Sequence, residues 1–426
     1  MSLHSVGAAP NYVLPASASD VPQSWKSNAS AKPIECSLQT TNVPALSGDQ
    51  AASGTSNIQL PLGSGSGIML NPYLRFNVSV TTATAAVQTI KFKGPNALAT
   101  ACINTYTTFI NSVQADQIAN ADHVYEQLLS HGSSSDFMTS DASILMNRGR
   151  ATATTETGVQ ELGVQVIPLL GCLGSQQGFP AYLCSGTLQI SIQWNSIIRA
   201  FQATVAGGAA GNITSYRIYD VQLVYDKISP EGSFVQEMKR EMDMGQKYVL
   251  SYLNIENSAF PVASASASIQ YGNNVSSLRA CLASQVLVTQ EAFNLPGLSS
   301  ANELTQFAVS LDGRLLNSNT LSVTNGGDAV VFAELNKCFS RLFDASVTDV
   351  ASVSAEGVNT FKDNFFAVGV SACRVNESLA FSGSKATQVS IQYSRGAGGA
   401  AATLYLSFLS DRQVLIGAAG DITLVR

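Results

Sequence analysis

Three histidines, His4, His123 and His131, are the first place to look for chemistry in this 426-residue chain. His123 and His131 are eight residues apart, which brings them only roughly onto one face of a helix. Asp116, Asp122 and Glu126 lie close by, and imidazole with carboxylate is a set that can hold zinc. Polar side chains on the exposed face of a short helix account for all five just as well. There is no HExxH pair, no GxSxG elbow and no phosphate-binding GxxxxGKS/T loop. The glycine runs at 63–67 and 396–399 fall between strands with no helix after them, so they read as loops rather than phosphate cradles. No aspartate spacing matches a calcium loop, and nothing singles out a carboxylate pair for glycoside hydrolysis. We assign no catalytic, cofactor-binding or metal-ligating residue and expect neither a cofactor nor enzymatic activity.

Composition narrows the field further. Charged residues make up 12% of the chain, against about 25% in ordinary soluble domains. Ser, Thr, Asn and Gln supply the polar surface instead. So lightly charged a surface suits a protein much of whose exterior is covered by neighbours. The net charge is −6 and no Lys/Arg cluster occurs, so direct packaging of nucleic acid, which needs many phosphate-neutralising side chains, is not expected. Met1 to Val13 has no charged segment followed by an apolar core, so no signal peptide is expected. No apolar run reaches the roughly 18 residues of a membrane span. Seven cysteines (36, 102, 172, 184, 281, 338, 373) are odd in number, widely spaced and without CxxC, which fits free thiols in a reducing compartment. Five Asn-x-Ser/Thr sequons (Asn28, Asn77, Asn212, Asn274, Asn376) read as chance in a chain so rich in these residues.

The elements that would position any site are mostly strands. Residues 1–33 form an extended arm with Pro10, Pro15, Pro22 and Pro33 and one candidate anchor, Trp25. Beyond it, Leu74, Phe76, Val78 and Val80 alternate with polar residues, as do Leu188, Ile190, Ile192 and Trp194. Val164 to Leu173 is apolar throughout and predicts a strand buried on both faces. Ile118 to Leu129 predicts a short helix closed by Gly132. Arg217 to Tyr225 predicts a strand with Tyr219, Val221, Leu223 and Tyr225 on one face. Ser229 as cap and Pro230 at the first turn then predict a helix with a Phe234, Met238, Met242 stripe, ending at Gly245. The second half repeats this order. Phe307, Val309 and Leu311 lead into a hairpin at Asp312-Gly313, and Asp328 can cap a helix carrying Phe332, Leu335, Phe339 and Leu342. Gln388-Val-Ser-Ile-Gln-Tyr393 follows the pattern of Gln189-Ile-Ser-Ile-Gln-Trp194 with four identities.

A repeat of this size argues for duplication of a whole domain. Many short strands and few short helices argue for sandwiches, with the jelly roll as the form expected. The fold class is therefore all-β, with two tandem jelly-roll β-barrels. The expected domains are an arm (1–33), a first jelly roll (34–228), a connecting helix (229–245) and a second jelly roll (246–426).

Several stretches then resemble one family. Val166-Ile-Pro-Leu-Leu-Gly-Cys-Leu173, Phe179-Pro180, the strand to Trp194 and the Tyr219–Ser229 segment resemble the end of the first barrel in double jelly-roll major capsid proteins of tailless icosahedral double-stranded DNA viruses. Phe109 to Leu129, Phe307 to Leu316 and Leu404 to Leu424 resemble further parts of the same pattern. The resemblance implies a structural protein whose homotrimers make pseudo-hexameric capsomers. It also implies partners: neighbouring capsomers, penton and minor capsid proteins, and, under the arm, an internal membrane, with no sequence-specific nucleic-acid binding. The place implied is the virion shell, after synthesis in host cytoplasm. Two other readings compete. One is a receptor- or carbohydrate-binding tandem sandwich such as a virion spike; the other is an enzyme on a tandem jelly-roll scaffold, which should show clustered histidine ligands.

Overall fold

The computed structural model describes residues 36–83, 88–133, 137–149, 152–154, 158–175, 178–205, 211–292, 294–317, 320–339, 358–372 and 383–425. The arm with Trp25, His4, Leu342, Cys373, Asn28 and Asn376 lie outside these residues.

Of the strands described before the central helix, eight form the first roll: β1 (Cys36–Pro44), β2 (Thr55–Pro61), β3 (Ile68–Thr82), β4 (Ile103–Ile110), β5 (Val113–Ala119), β6 (Gly158–Pro168), β7 (Thr187–Trp194) and β8 (Ile213–Pro230). They pair as β1 with β8, β2 with β7, β3 with β6 and β4 with β5. That is one long antiparallel hairpin, tip at β4–β5, rolled up so that it closes on itself. Rolling brings β8 against β3 and β7 against β4, giving two facing sheets, β1-β8-β3-β6 and β2-β7-β4-β5. A small third sheet joins 88–92, 152–154 and 201–205. Alternation dictates the core: Leu74, Phe76, Val78 and Val80 from one sheet meet Leu188, Ile190, Ile192 and Trp194 from the other, and all are buried.

Helix α1 (Ala121–Gly132) lies between β5 and β6, and α2 (Gly232–Asp243) follows β8. The second half then repeats the roll with β9 (Tyr248–Val262), β10 (Ser266–Leu287), β11 (Leu304–Leu311), β12 (Arg314–Leu315), helix α3 (Asp328–Cys338), β13 (Ala367–Ser371), β14 (Ser384–Arg395) and β15 (Ala402–Ile416). Here one strand does the work of two. Residues 266–275 of β10 pair with β14, whereas residues 278–287 pair with β15 and, at 280–284, with β13. In the first half the matching strands β2 and β3 are separated by a loop holding Gly63, Gly65 and Gly67.

The internal repeat falls on β7 and β14, which hold matching places in their rolls. Both carry apolar side chains inward and Gln and Ser outward. The two hairpin tips also correspond. Asn111-Ser112 and Asp312-Gly313 each place two residues at positive φ (49° and 64°; 49° and 82°), the geometry of a two-residue hairpin turn. Counted from these tips, however, Val389 stands opposite Leu311 where Leu188 stands opposite Ile110. The sequence match instead sets Val389 against Ile190. The two halves thus differ by a slip of two residues, which leaves the same side chains facing the core.

Four sequence expectations need correction. The strand does not stop before Ser229. Its partner β1 holds it through Ser37–Ser229 and Cys36–Pro230, so α2 starts at Gly232 with Glu231 at its cap. Tyr219 does not share a face with Val221 and Leu223. Asp220 adopts φ 52° within a register shift, and the inward residues before it are Tyr216 and Ile218. Val164 to Leu173 is not buried on both faces. β6 is an edge strand, Val164 is 46% exposed, and the strand ends at Pro168. Asp328 is not the cap of α3 but its first residue, after Gly327; a carboxylate there still faces the positive end of the helix dipole.

Candidate assembly surfaces

The five side chains that could have bound a metal are turned to separate tasks. Asp116 is buried in the first core, where its Oδ2 accepts the Cys172 N–H at 2.6 Å. Burial raises its carboxyl to about 6. Asp122 receives both short contacts from the Arg199 guanidinium, 2.9 and 2.8 Å. Glu126 accepts the backbone and side-chain N–H groups of Asn96 at 2.7 and 2.6 Å, and burial pushes it up to about 7. His123 stacks on Tyr405 with ring centroids 3.6 Å apart. His131 is enclosed near Phe339 and Phe361. Among the described residues no group of three or more His, Cys, Asp or Glu side chains could hold a metal.

Burial holds both imidazoles neutral, down to about 4. A histidine whose folded value lies below its unfolded value of about 6.5 contributes full stability above 6.5 and loses it as pH falls toward 4. Asp116 and Glu126 act oppositely: their raised values favour the protonated form, so they cost stability as pH rises. The acid-side loss of stability between about pH 6.5 and about pH 4 should therefore shrink in His131→Gln. Thermal melting across that window checks this, and an unchanged acid limb would assign the loss elsewhere.

What these residues build together is the seam between the two rolls. Helix α1 packs into the first roll through Ala121, Val124 and Tyr125. Its other stripe, Asn120, His123 and Gln127, lies on the outer face of the second roll's sheet. Gln127 donates to Ser284 Oγ at 2.6 Å and accepts from Ser407 Oγ at 2.7 Å. Asn257 donates to Ser407 Oγ at 2.7 Å and accepts from Asn120 at 3.0 Å. Tyr252 Oη donates to the Ala115 carbonyl at 2.7 Å. Lys93 donates to the carbonyls of Glu291 and Ala292 at 3.1 and 3.0 Å, and its burial lowers the ammonium to about 8. Buried amides and hydroxyls are inexpensive only when they are paired, and these are. A cavity of about 30 Å³ remains between α1 and Phe365–Ala367. It has room for about two waters, not for a ligand site of some 300–1,000 Å³.

The expected helix from Ile118 to Leu129 is α1 shifted along the chain, since Ile118 belongs to β5 and α1 runs from Ala121 to Gly132, and the seam was missed. Asn, Gln and Ser on a helix face look like solvent-exposed residues, and only the partner sheet, far along the chain, shows otherwise. The sequon residue Asn77 is likewise structural: it donates to Asp220 at 2.9 Å across the outer sheet.

Two rolled hairpins of the same strand order stand side by side, each with a helix after its fifth strand or the strand matching it. The fold is a double jelly roll. Solved structures agree with this description. A chain of the Sputnik virophage aligns over 93% of this chain and 89% of its own length with TM-score 0.60 and 11% identity. The Faustovirus major capsid protein aligns over 91% and 92% with TM-score 0.60 and 9% identity. A chain of the PBCV-1 virus capsid aligns over 93% and 98% with TM-score 0.59 and 9% identity. No family model and no curated protein matches the sequence. Within the double jelly roll, the hydrogen-bonded seam makes the two rolls one unit. Among the described residues, the outer sheet faces that the seam does not cover, that of β1-β8-β3-β6 among them, are the surfaces left for other molecules.

Proposed function

We propose that this chain is the major structural subunit of an icosahedral virus shell, working in the virion as a homotrimeric tile of six rolls and not as an enzyme. The observation that carries this reading is the doubled roll in one chain, joined along a polar seam. Three such chains place six similar rolls in a ring, which fills a hexagonal position. Support also comes from the capsid proteins and capsid chains that share the fold, and from the low charge, which makes burying large flanks between copies inexpensive. The arm, residues 1–33, is proposed to contact neighbouring capsomers, penton or minor capsid proteins, or an internal membrane. Synthesis is proposed to be in host cytoplasm.

Light scattering on the purified protein tests the core of this proposal. Three 44.7 kDa chains give about 134 kDa, and that mass or a larger assembly is expected. A protein that stays at 44.7 kDa at high concentration overturns the proposal and returns attention to the receptor- or carbohydrate-binding reading.

A further inference from the structure

His123 and His131 both line the cavity of about 30 Å³ between α1 and Phe365–Ala367, and so lie in the seam itself. The rings that cover them come from the second roll. Tyr405 stacks on His123, Phe339 and Phe361 flank His131, and His131 donates to the Phe365 carbonyl. Other links between α1 and that roll are neutral: Asn120 to Asn257, and Gln127 to Ser284 and Ser407. Amides and hydroxyls keep one protonation state in ordinary buffers, so acid reaches these contacts through the imidazoles.

The surroundings do not welcome a proton on either ring. Asp122 Oδ2 lies 3.8 Å from His123 Nε2, but Arg199, from the turn Ile197–Ala200, holds both oxygens of that carboxylate. Lys93 is a second first-roll cation acting on His123. From the second roll, Glu291 gives its carbonyl to Lys93, and its charge acts on Lys93, Arg199 and Tyr405. A protonated His131 would face phenyl rings. Glu126 borders the same cavity, and its partners Asn96, Ser130 and Arg148 all belong to the first roll.

We infer that the seam is an acid-released latch: when His123 and His131 each take up one proton, α1 parts from the outer face of β9-β15-β10-β13 while each roll keeps its own core. The closed seam holds both rings near 4, whereas rings facing water return to about 6.5. Going from pH 7 to pH 5 therefore favours the open form by roughly 20-fold for each histidine, or about 400-fold for the pair. Glu126 takes up a proton over the same range, but it keeps its first-roll partners in both forms and so does not cancel the effect. The latch lies within one chain and does not depend on the trimeric tile.

The test uses the full-length chain carrying Ser284→Cys, which puts a thiol under Gln127 in the seam. Its reaction with dithiodipyridine is followed by peptide mass spectrometry and divided by the rate in denatured protein at the same pH. Cys102 and Cys281, buried in the first and second rolls, report unfolding of either core. Between pH 7 and pH 5 the introduced thiol should become several hundred-fold more reactive while Cys102 and Cys281 stay protected. Adding His123→Gln and His131→Gln should reduce that rise to a few-fold. A rise shared by all three thiols, no rise at all, or a rise that survives both histidine substitutions overturns the latch. Should the histidine variant fail to fold, deuterium exchange at the imidazole C2 positions of the unaltered chain reads each ring directly. Both rings should titrate well below 6.5, and values at or above 6.5 overturn the inference.

Discussion

Trp194→Ala should cost this protein about 3–5 kcal/mol, among the largest losses available to a single substitution. Trp194 ends β7 and is 1% exposed. Its ring lies 5.1 Å from Phe76 of the opposite sheet, and its indole N–H donates to Ser56 Oγ at 2.9 Å. The truncation therefore opens a cavity at the point where both sheets of the first roll meet and strands the Ser56 hydroxyl, which is fully buried. Trp194→Phe keeps most of the volume and should cost well under half as much. Urea unfolding of the pair decides the matter. A loss below about 1 kcal/mol for the alanine variant would mean that the site collapses around the gap.

Arg412→Leu should be comparably damaging, at about 3–5 kcal/mol, but for an electrostatic reason. Arg412 pairs with Glu256 in the second roll, with side chains 8% and 19% exposed. Tyr271 Oη also donates to Glu256, at 2.9 Å, and the Tyr271 ring stacks on Phe408. Removing the guanidinium leaves a carboxylate facing the sandwich interior without its cation. Removing both partners, as Arg412→Leu with Glu256→Leu, takes away the uncompensated charge and should recover most of the loss. A double-mutant cycle by chemical denaturation measures this. Equal stability in the single and double variants would show that the arginine acts through packing alone.

Much of the architecture could be read from residue order because each sheet buries one face. Leu74 to Val80 and Leu188 to Trp194 announce their faces through strict alternation, and Asp312-Gly313 announces a hairpin through the conformations these residues tolerate. The features that escaped reading depend on distant partners. Ser229-Pro230 has the composition of a helix start, but β1, from the far end of the first roll's sequence, holds it as strand. Asp220 reverses the face of β8, and an aspartate gives little warning of this because left-handed backbone is only occasionally its choice. The seam was the least legible part. Asn120, Gln127, Asn257 and Ser407 carry no periodic apolar signal, and their burial follows from one another. His123 and His131 drew attention as chemistry, whereas one stacks across the seam and the other sits beside aromatic rings beneath it.

The crossing strand β10 gives the two rolls different mechanical characters. Where it passes from one sheet to the other, the covalent backbone and its ladder bonds run through the bend, so relative sliding of those sheets must stretch a connected strand. In the first roll the same crossing is a loop holding Gly63, Gly65 and Gly67, tied to the 179–186 segment by the Gly63 N–H to the Ala181 carbonyl at 3.2 Å and the Tyr182 N–H to the Gly67 carbonyl at 3.0 Å, so its sheets are joined by single bonds where the second roll has a ladder.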